Sequence, residues 1–115
     1  MRTLNDYFLT VHIADLNTAG TFYVPVPDGG EIVKVMTALE AAIATADEDI
    51  TVKTAQGTVA PVLTIATSGS AAGDVDSIEP TANNYVSEDG TIEIENDGAS
   101  GSSGVGCTVT LIIRR

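Results

Sequence analysis

Apolar residues alternate with other residues near both ends of the chain. They recur at every second position over Tyr7–Ile13 and again over Cys107–Ile113. A period of two residues is typical of a half-buried β-strand, because successive side chains of a strand point to opposite faces. Both segments are therefore predicted to be strands.

Further strands are predicted between these two segments. Their approximate ranges are 20–26, 31–39, 49–55, 59–66 and 91–95, with a weaker strand near 85–87. Turn residues separate them: Pro27–Gly30, Gln56–Gly57 and Glu88–Gly90 combine proline, acidic residues and glycine in the manner of tight turns. Roughly a third of the residues are threonine, valine or isoleucine, whose branched side chains favour strands.

The alanine-rich segment Met36–Ala46 is the exception to the β pattern, since alanine favours helices. The acidic run Asp47–Asp49 would lie at the C-terminal end of such a helix, where the helix dipole disfavours negative charge. We therefore expect a bend with a short helical turn near 38–46.

The fold class that follows is all-β: a single-domain antiparallel β-sandwich or jelly roll of about seven or eight strands. Residues 1–6 form a polar N-terminal arm and residues 7–115 the domain. Two segments rich in glycine, serine and other small or polar residues, 67–84 and 96–106, are predicted to be long surface loops.

Charge narrows the range of partners. The chain has 16 acidic and 5 basic residues and a formal net charge of −11. Such a protein repels phosphate backbones and anionic lipid, so neither nucleic acid nor a membrane is an expected partner. The N-terminal segment lacks the pattern of a secretory signal, so we expect synthesis and folding in the cytoplasm.

Candidate chemistry is sparse. One cysteine and one histidine cannot form a disulfide framework or a four-ligand zinc site. His12 could act as a general base, but its position in a strand favours an ordinary solvent-facing residue, and Cys107 has the pattern of a small buried apolar residue. We therefore predict no enzyme, no catalytic residue and no cofactor.

Two acidic groups could in principle bind calcium: the run Asp47–Asp49, and the group of Asp74, Asp76 and Glu79. Neither has the ligand spacing of a known calcium loop, and acidic runs in loops are usually solvated, so no metal is predicted. Aromatic residues make up 4% of the chain and tryptophan is absent, which disfavours a sugar-stacking cleft.

The basic residues are unevenly placed. Arg2, Arg114 and Arg115 lie near the chain ends, and only Lys34 and Lys53 lie between. If the first and last strands are neighbours, these ends form a small basic spot on an acidic body. The spot is either an accident of the termini or a docking end for an acidic surface.

Several segments together resemble a family of small structural proteins of tailed bacteriophages. They are Thr18–Pro25, Thr45–Asp47, the string SGSAAGDVDS at Ser68–Ser77, Pro80–Asn84, the Val86, Gly90, Ile92 and Glu93 pattern, and Val109–Arg114. The resemblance covers nearly the whole chain, and none of its motifs is catalytic.

The resemblance implies a capsid decoration (cement) protein, a virion protein that binds the outer surface of an assembled head and stabilises it. Its expected partners are the major capsid protein and further copies of itself, as a homotrimer or a dimer. The candidate contact residues are Met1, Arg2, Thr3, Leu4, Asn5, Asp6, Arg114 and Arg115. The alternative is a receptor- or glycan-binding β-sandwich module on a phage tail or fibre.

Overall fold

Ten strands form the regular structure of residues 5–115, the part of the chain that the computed structural model describes. They are β1 (Asp6–Ile13), β2 (Gly20–Pro25), β3 (Gly30–Leu39), β4 (Glu48–Thr54), β5 (Gly57–Thr58), β6 (Leu63–Ile65), β7 (Val75–Ile78), β8 (Tyr85–Val86), β9 (Thr91–Asn96) and β10 (Cys107–Arg114). Over this part of the chain there is no helix, and hence none that could cross a membrane.

The strands form two antiparallel sheets. The first, which we call the terminal sheet, has the order β1-β10-β3-β7, with β8 also paired to β3. The second sheet has the order β2-β9-β4-β5, with β6 also paired to β4. When β5 and β6 count as one interrupted strand and β7 and β8 as another, each sheet has four positions. This is a jelly-roll arrangement, so the predicted fold class is confirmed.

The core lies between the sheets and follows the alternation in the sequence. On β10 every second residue is buried, and the residues between them are half-buried on the outer side. The fully enclosed residues with the largest side chains include Ile13, Ile32, Ile50, Ile94 and Leu111. Enclosing these aliphatic side chains holds the two sheets together, because it removes their apolar surface from water.

One irregularity in β3 keeps its core residues aligned. The pairing with β10 shifts between Ile112 and Ile113, so that Val33 is an extra residue between Ile32 and Lys34. Ile32 and Val35 are both fully buried although three positions separate them. The β-bulge resolves this conflict, because one added residue turns the following side chains to the other face.

The short helical turn predicted near 38–46 is wrong. β3 continues to Leu39, and the next residues bend without helical hydrogen bonds. Ile43 packs in the core, and its N–H donates to the Ser70 hydroxyl at 3.0 Å. The Ile43 carbonyl accepts from the hydroxyls of Thr67 at 2.9 Å and Ser70 at 3.2 Å. A neighbouring loop thus satisfies backbone groups that a helix would otherwise have paired.

Two strand boundaries also differ from the prediction. The expected loop 67–84 contains β7, which pairs with the edge of β3 that faces away from β10. Within the expected strand 59–66 only Leu63–Ile65 (β6) is a strand; β5 (Gly57–Thr58) ends before that range, and Pro61 lies between the two. Proline has no N–H to donate to a sheet, which explains why the strand is interrupted there.

The glycine- and serine-rich segment after β9 is a loop as predicted, yet it is anchored to the core. Glu48, which has no exposed surface, accepts hydrogen bonds from the N–H groups of Gly98 and Ser100, both at 2.9 Å. The Asn96 side-chain amide donates to the same carboxylate at 3.1 Å. We call this arrangement the Glu48 anchor.

Candidate binding surface

The outer face of the terminal sheet consists of the side chains that alternate with the core residues. In the middle of the sheet, strand pairing arranges them in three rows: Phe8, Ile112 and Lys34; Thr10, Thr110, Met36 and Ser77; and His12, Thr108, Ala38 and Val75. None of these eleven residues is aspartate or glutamate. We call this surface the acid-free face.

Apolar side chains are exposed on this face. Phe8 is 71% exposed and Val75 is 59% exposed, while Met36 and Ile112 are half-buried between them. A shallow depression of about 130 Å³ lies among Met36, Val75, Thr110 and their neighbours. Exposed apolar groups that adjoin one another in a sheet, rather than lying singly, are typical of an interaction surface.

Charged pairs border the acid-free face at both ends. At one end the row Asp6, Arg114 and Glu31 crosses the sheet beside Phe8. At the other end the His12 imidazole lies 3.1 Å from the Glu40 carboxylate, and both side chains are about half-exposed. The face therefore has an uncharged centre and a charged rim.

The outer face of the second sheet has the opposite character. Glu93 and Glu95 alternate with core residues on β9, and Asp49 and Lys53 do the same on β4. Lys53 forms an ion pair with Glu95 at 3.1 Å. The outer face of the second sheet thus has carboxylates in its centre, whereas the acid-free face has none.

This second face also contains a groove, which we call the Tyr23 groove. It encloses about 550 Å³ and is open to solvent. Its lining residues are Tyr23, Lys53, Thr54, Ala55, Gly57, Thr58, Thr91 and Glu93. The low aromatic content disfavours a sugar-stacking cleft, yet Tyr23 lies at this concave site and is 65% exposed.

The structure brings the two predicted C-terminal contact residues to one end of the terminal sheet. β1 and β10 are neighbours, as the basic-spot hypothesis requires. Arg114 binds the Asp6 carboxylate through two nitrogens at 2.9 and 3.2 Å. This hydrogen-bonded ion pair raises the pKa of Arg114. Carboxylates compensate the basic charge there, since Arg115 in turn lies 3.3 Å from Asp28.

The remaining contact candidates belong to the N-terminal segment. Asp6 is the first residue of β1, and the Asn5 carbonyl accepts a hydrogen bond from the Arg115 backbone at 3.3 Å. The Arg115 guanidinium also lies 5.7 Å from the centre of the Tyr7 ring, within cation–π range. Met1, Arg2, Thr3 and Leu4 lie outside the described residues.

Cys107 and His12 lie on opposite faces of the terminal sheet. The Cys107 thiol is buried as predicted, and burial raises its pKa to about 12, so that it is protonated at neutral pH. His12 is on the solvent side of β1 as predicted, next to Glu40.

The acidic residues considered for calcium are dispersed. Glu48 belongs to the buried anchor, Asp49 accepts a hydrogen bond from the Thr64 hydroxyl at 2.8 Å, and Asp74 accepts one from the Ala71 N–H at 2.9 Å. Between residues 5 and 115, no group of three or more histidine, cysteine, aspartate or glutamate side chains is placed to hold a metal ion. Glu48, Asp49 and Asp74 instead accept hydrogen bonds that stabilise loops and strands.

Comparison with known proteins gives distant likenesses only. No protein-family model matches the chain, and no curated protein matches it. Among solved structures, PirA is 15% identical, with 96% of each chain covered and a TM-score of 0.42. The enzymatically active domain of bacteriophage CBA120 tailspike protein 4 is 12% identical, with 97% of this chain and 20% of that chain covered and a TM-score of 0.44. The P-domain of Penaeus vannamei nodavirus is 9% identical, with 93% and 96% covered and a TM-score of 0.43.

Proposed function

We propose that the protein is a non-enzymatic structural module that docks on the outer surface of an assembled tailed-phage capsid and stabilises the head. Its partners are the major capsid protein and further copies of itself, as a trimer or a dimer, after synthesis in the host cytoplasm. The observation that carries the proposal is the acid-free face. The sequence resemblance to decoration proteins supports the same function.

The net charge of −11 affects which surface of the protein can dock on a partner. Burying an unpaired carboxylate in an interface costs several kcal/mol, and the centres of protein interfaces are accordingly depleted of acidic residues. A strongly acidic protein therefore docks most favourably through a surface that holds none. Lys34, the one lysine or arginine of the acid-free face, favours a partner carboxylate opposite it.

The size of the face argues for several copies acting together. Four strand positions and three rows of outward side chains cover about 20 by 20 Å, or about 400 Å². Stable complexes bury about 800 Å² on each partner, about twice as much. Several linked copies, each docked through a modest contact, reach high avidity without a larger interface per copy. A homotrimer or dimer on the capsid meets this requirement.

The four predicted contact residues that the structure describes, Asn5, Asp6, Arg114 and Arg115, lie at one end of the same surface. Arg114 is on the outer side of β10, two positions after Ile112 of the acid-free face. Arg115 and Asn5 adjoin it at the same end. A capsid subunit that covers the acid-free face would thus meet Arg114, and we propose that the N-terminal segment contributes to the contact.

The test uses phage heads assembled without this protein. At micromolar concentration the wild-type protein is expected to co-sediment with heads and to raise their melting temperature. The variant T10E adds a carboxylate to the acid-free face at an exposed position and is expected to bind at least about ten-fold more weakly. The control T58E adds the same charge to the second sheet and is expected to bind like the wild type.

Two results would overturn the proposal. One is a wild-type protein that does not bind heads at micromolar concentration. The other is a T10E variant that folds, as judged by its thermal melting curve, and binds heads as tightly as T58E.

The second candidate function is recognition of a receptor or glycan. The observation in its favour is the Tyr23 groove, which combines an exposed aromatic ring with charged and hydroxyl side chains. This function would use the face opposite to the one that docks on the capsid.

A further inference from the structure

The Tyr23 groove has the size and composition of a small-ligand site. Its volume of about 550 Å³ falls within the range of ligand pockets, about 300–1,000 Å³. An aromatic ring, an ammonium group, a carboxylate and several threonine hydroxyls line it. Such a mixture suits a ligand that has both an apolar surface and many hydroxyl groups.

The aromatic platform is Tyr23 on β2. Its side chain is on the outer side of the second sheet, between half-buried Phe22 and buried Val24, and is 65% exposed. An exposed tyrosine ring offers a flat apolar surface and a phenolic hydroxyl at its end. The C–H side of a sugar ring can pack against that surface while the sugar hydroxyls remain free for polar contacts.

The polar groups lie in register with Tyr23. Strand pairing places Tyr23 opposite Glu93, Glu93 opposite Lys53, and Lys53 opposite Thr58. With neighbouring strands about 4.8 Å apart, this row extends about 14 Å across the sheet. Next to the ring, the row thus presents the Glu93 carboxylate as an acceptor, then the Lys53 ammonium as a donor, then the Thr58 hydroxyl.

Lys53 is oriented in advance by its ion pair with Glu95 at 3.1 Å. A side chain that is already held loses little conformational entropy when a ligand binds, which favours affinity. At the end of the row the β4–β5 hairpin lines the groove with residues that have a small side chain or none, Thr54, Ala55 and Gly57. The groove therefore stays open at that end for an extended ligand.

We infer that the Tyr23 groove binds a neutral saccharide, with a sugar ring on Tyr23 and its hydroxyls bonded to Glu93, Lys53 and Thr58. Anionic sugars are excluded by Glu93, Glu95 and the net charge of −11. This inference builds on the second candidate function and is independent of capsid docking, since the groove and the acid-free face belong to different sheets.

The test is an NMR titration of the full-length, ¹⁵N-labelled protein. The probes are maltotetraose, cellotetraose, chitotetraose and lactose as neutral saccharides, and sialyllactose as the anionic one. At least one neutral probe is expected to shift the amide signals of Tyr23, Lys53, Thr58 and Glu93 in a saturable manner, whereas sialyllactose is expected to bind more weakly than lactose.

Matched variants locate the site. Y23A removes the platform and is expected to weaken binding by about ten-fold or more. F8A removes a comparably exposed aromatic side chain from the opposite face and is expected to bind the saccharide like the wild type. E93Q keeps the shape of the carboxylate without its charge and is expected to weaken binding by a smaller factor.

The inference is overturned if no neutral probe causes saturable shifts up to about 10 mM, if the shifts map outside the groove, or if Y23A binds like F8A. Co-sedimentation of Y23A with heads separates the two proposals. If Y23A binds heads but no longer binds the saccharide, capsid docking does not depend on the groove. If the wild-type protein binds a saccharide but does not bind heads, capsid docking is contradicted and saccharide binding stands.

Discussion

Cys107 begins β10 with its thiol turned into the core, where the residue has no exposed surface. Burial raises the pKa of the thiol to about 12, and the negative charges of Glu48 and Glu40 act in the same direction. The nucleophilic form of cysteine is the thiolate, which is scarce under these conditions. The residue is thus a packing element of the sandwich.

We expect Cys107 to resist alkylation in the folded protein. Iodoacetamide at neutral pH should label it only after denaturation, which mass spectrometry of native and urea-treated samples would measure. Rapid labelling of the native protein would contradict the buried placement.

Glu48 makes the stability of the fold depend on pH. Burial raises the pKa of its carboxyl above 4.5, and burial likewise raises the pKa of Asp76. An acid with a higher pKa in the folded state binds protons preferentially when folded. Its contribution to stability is complete below the unfolded-state pKa and is lost as the pH rises through the folded-state pKa.

The free energy of unfolding is therefore expected to gain from Glu48 as the pH falls from neutral toward the ordinary pKa of a glutamate carboxyl. Urea denaturation of wild type and E48Q over this range would measure the gain. The rise should be smaller in E48Q, whose side chain does not titrate. Equal pH slopes for the two proteins would show that Glu48 does not contribute.

At the scale of elements, the Glu48 anchor joins the start of β4 to the loop between β9 and β10. The carboxylate is the acceptor for two loop N–H groups and for the Asn96 amide. The Ser100 carbonyl in turn accepts hydrogen bonds from the Ala44 and Thr45 N–H groups, at 3.3 and 2.8 Å. The Glu48 side chain thus connects the loop to β4, and the Ser100 carbonyl connects the loop to the bend before β4.

The variant E48A removes this acceptor and leaves buried donors without partners, which is expected to destabilise the fold by about 2–4 kcal/mol. In wild type the Gly98 and Ser100 amides should exchange with solvent more slowly than Gly104, and E48A should remove that protection. The control D49A removes a surface carboxylate that accepts a hydrogen bond from the Thr64 hydroxyl, so a loss below about 1 kcal/mol is expected. Fast exchange of Ser100 in the wild type would contradict the anchor.

The sequence predicts those elements whose side chains alternate clearly. The strands β1 and β10 show a period of two because one face is buried, and both are confirmed. β7 escapes prediction because its exposed Val75 and Ser77 alternate with half-buried residues, with no apolar pattern. Its hydrogen bonds to β3 define it as a strand, and such pairing between distant segments leaves no local signal.

The candidate surfaces were harder to predict than the strands. The uncharged outer residues Thr10, Thr110 and Met36 are visible in the sequence, but their assembly into one face depends on strand order and register. The Tyr23 groove likewise depends on β2 and β4 both flanking β9. A count of aromatic residues carries no information on such placement.

On the scale of the whole molecule, the two outer sheet faces differ in charge. Copies docked side by side on a head would each carry a formal charge of −11 and would repel one another. Salt shortens the range of this repulsion to about 10 Å at 0.1 M. Salt does not weaken an apolar contact through the acid-free face in this way, because that contact does not depend on charge attraction.

Binding to heads is therefore expected to strengthen as sodium chloride rises from about 20 to about 200 mM. Co-sedimentation isotherms at several salt concentrations would measure the change. A binding constant that falls steeply with salt would instead indicate docking led by the cations Lys34, Arg114 and Arg115.

The separation of the two faces also affects the approach to any surface. A body whose two outer faces differ in charge experiences a torque in an external field, and it rotates before contact is made. Near a negatively charged shell, the molecule would turn the carboxylates of β9 away and the Lys34 side toward it. A larger fraction of collisions would then occur in the binding orientation. The association rate with the head would thus depend partly on Glu93 and Glu95, although neither residue contacts the head.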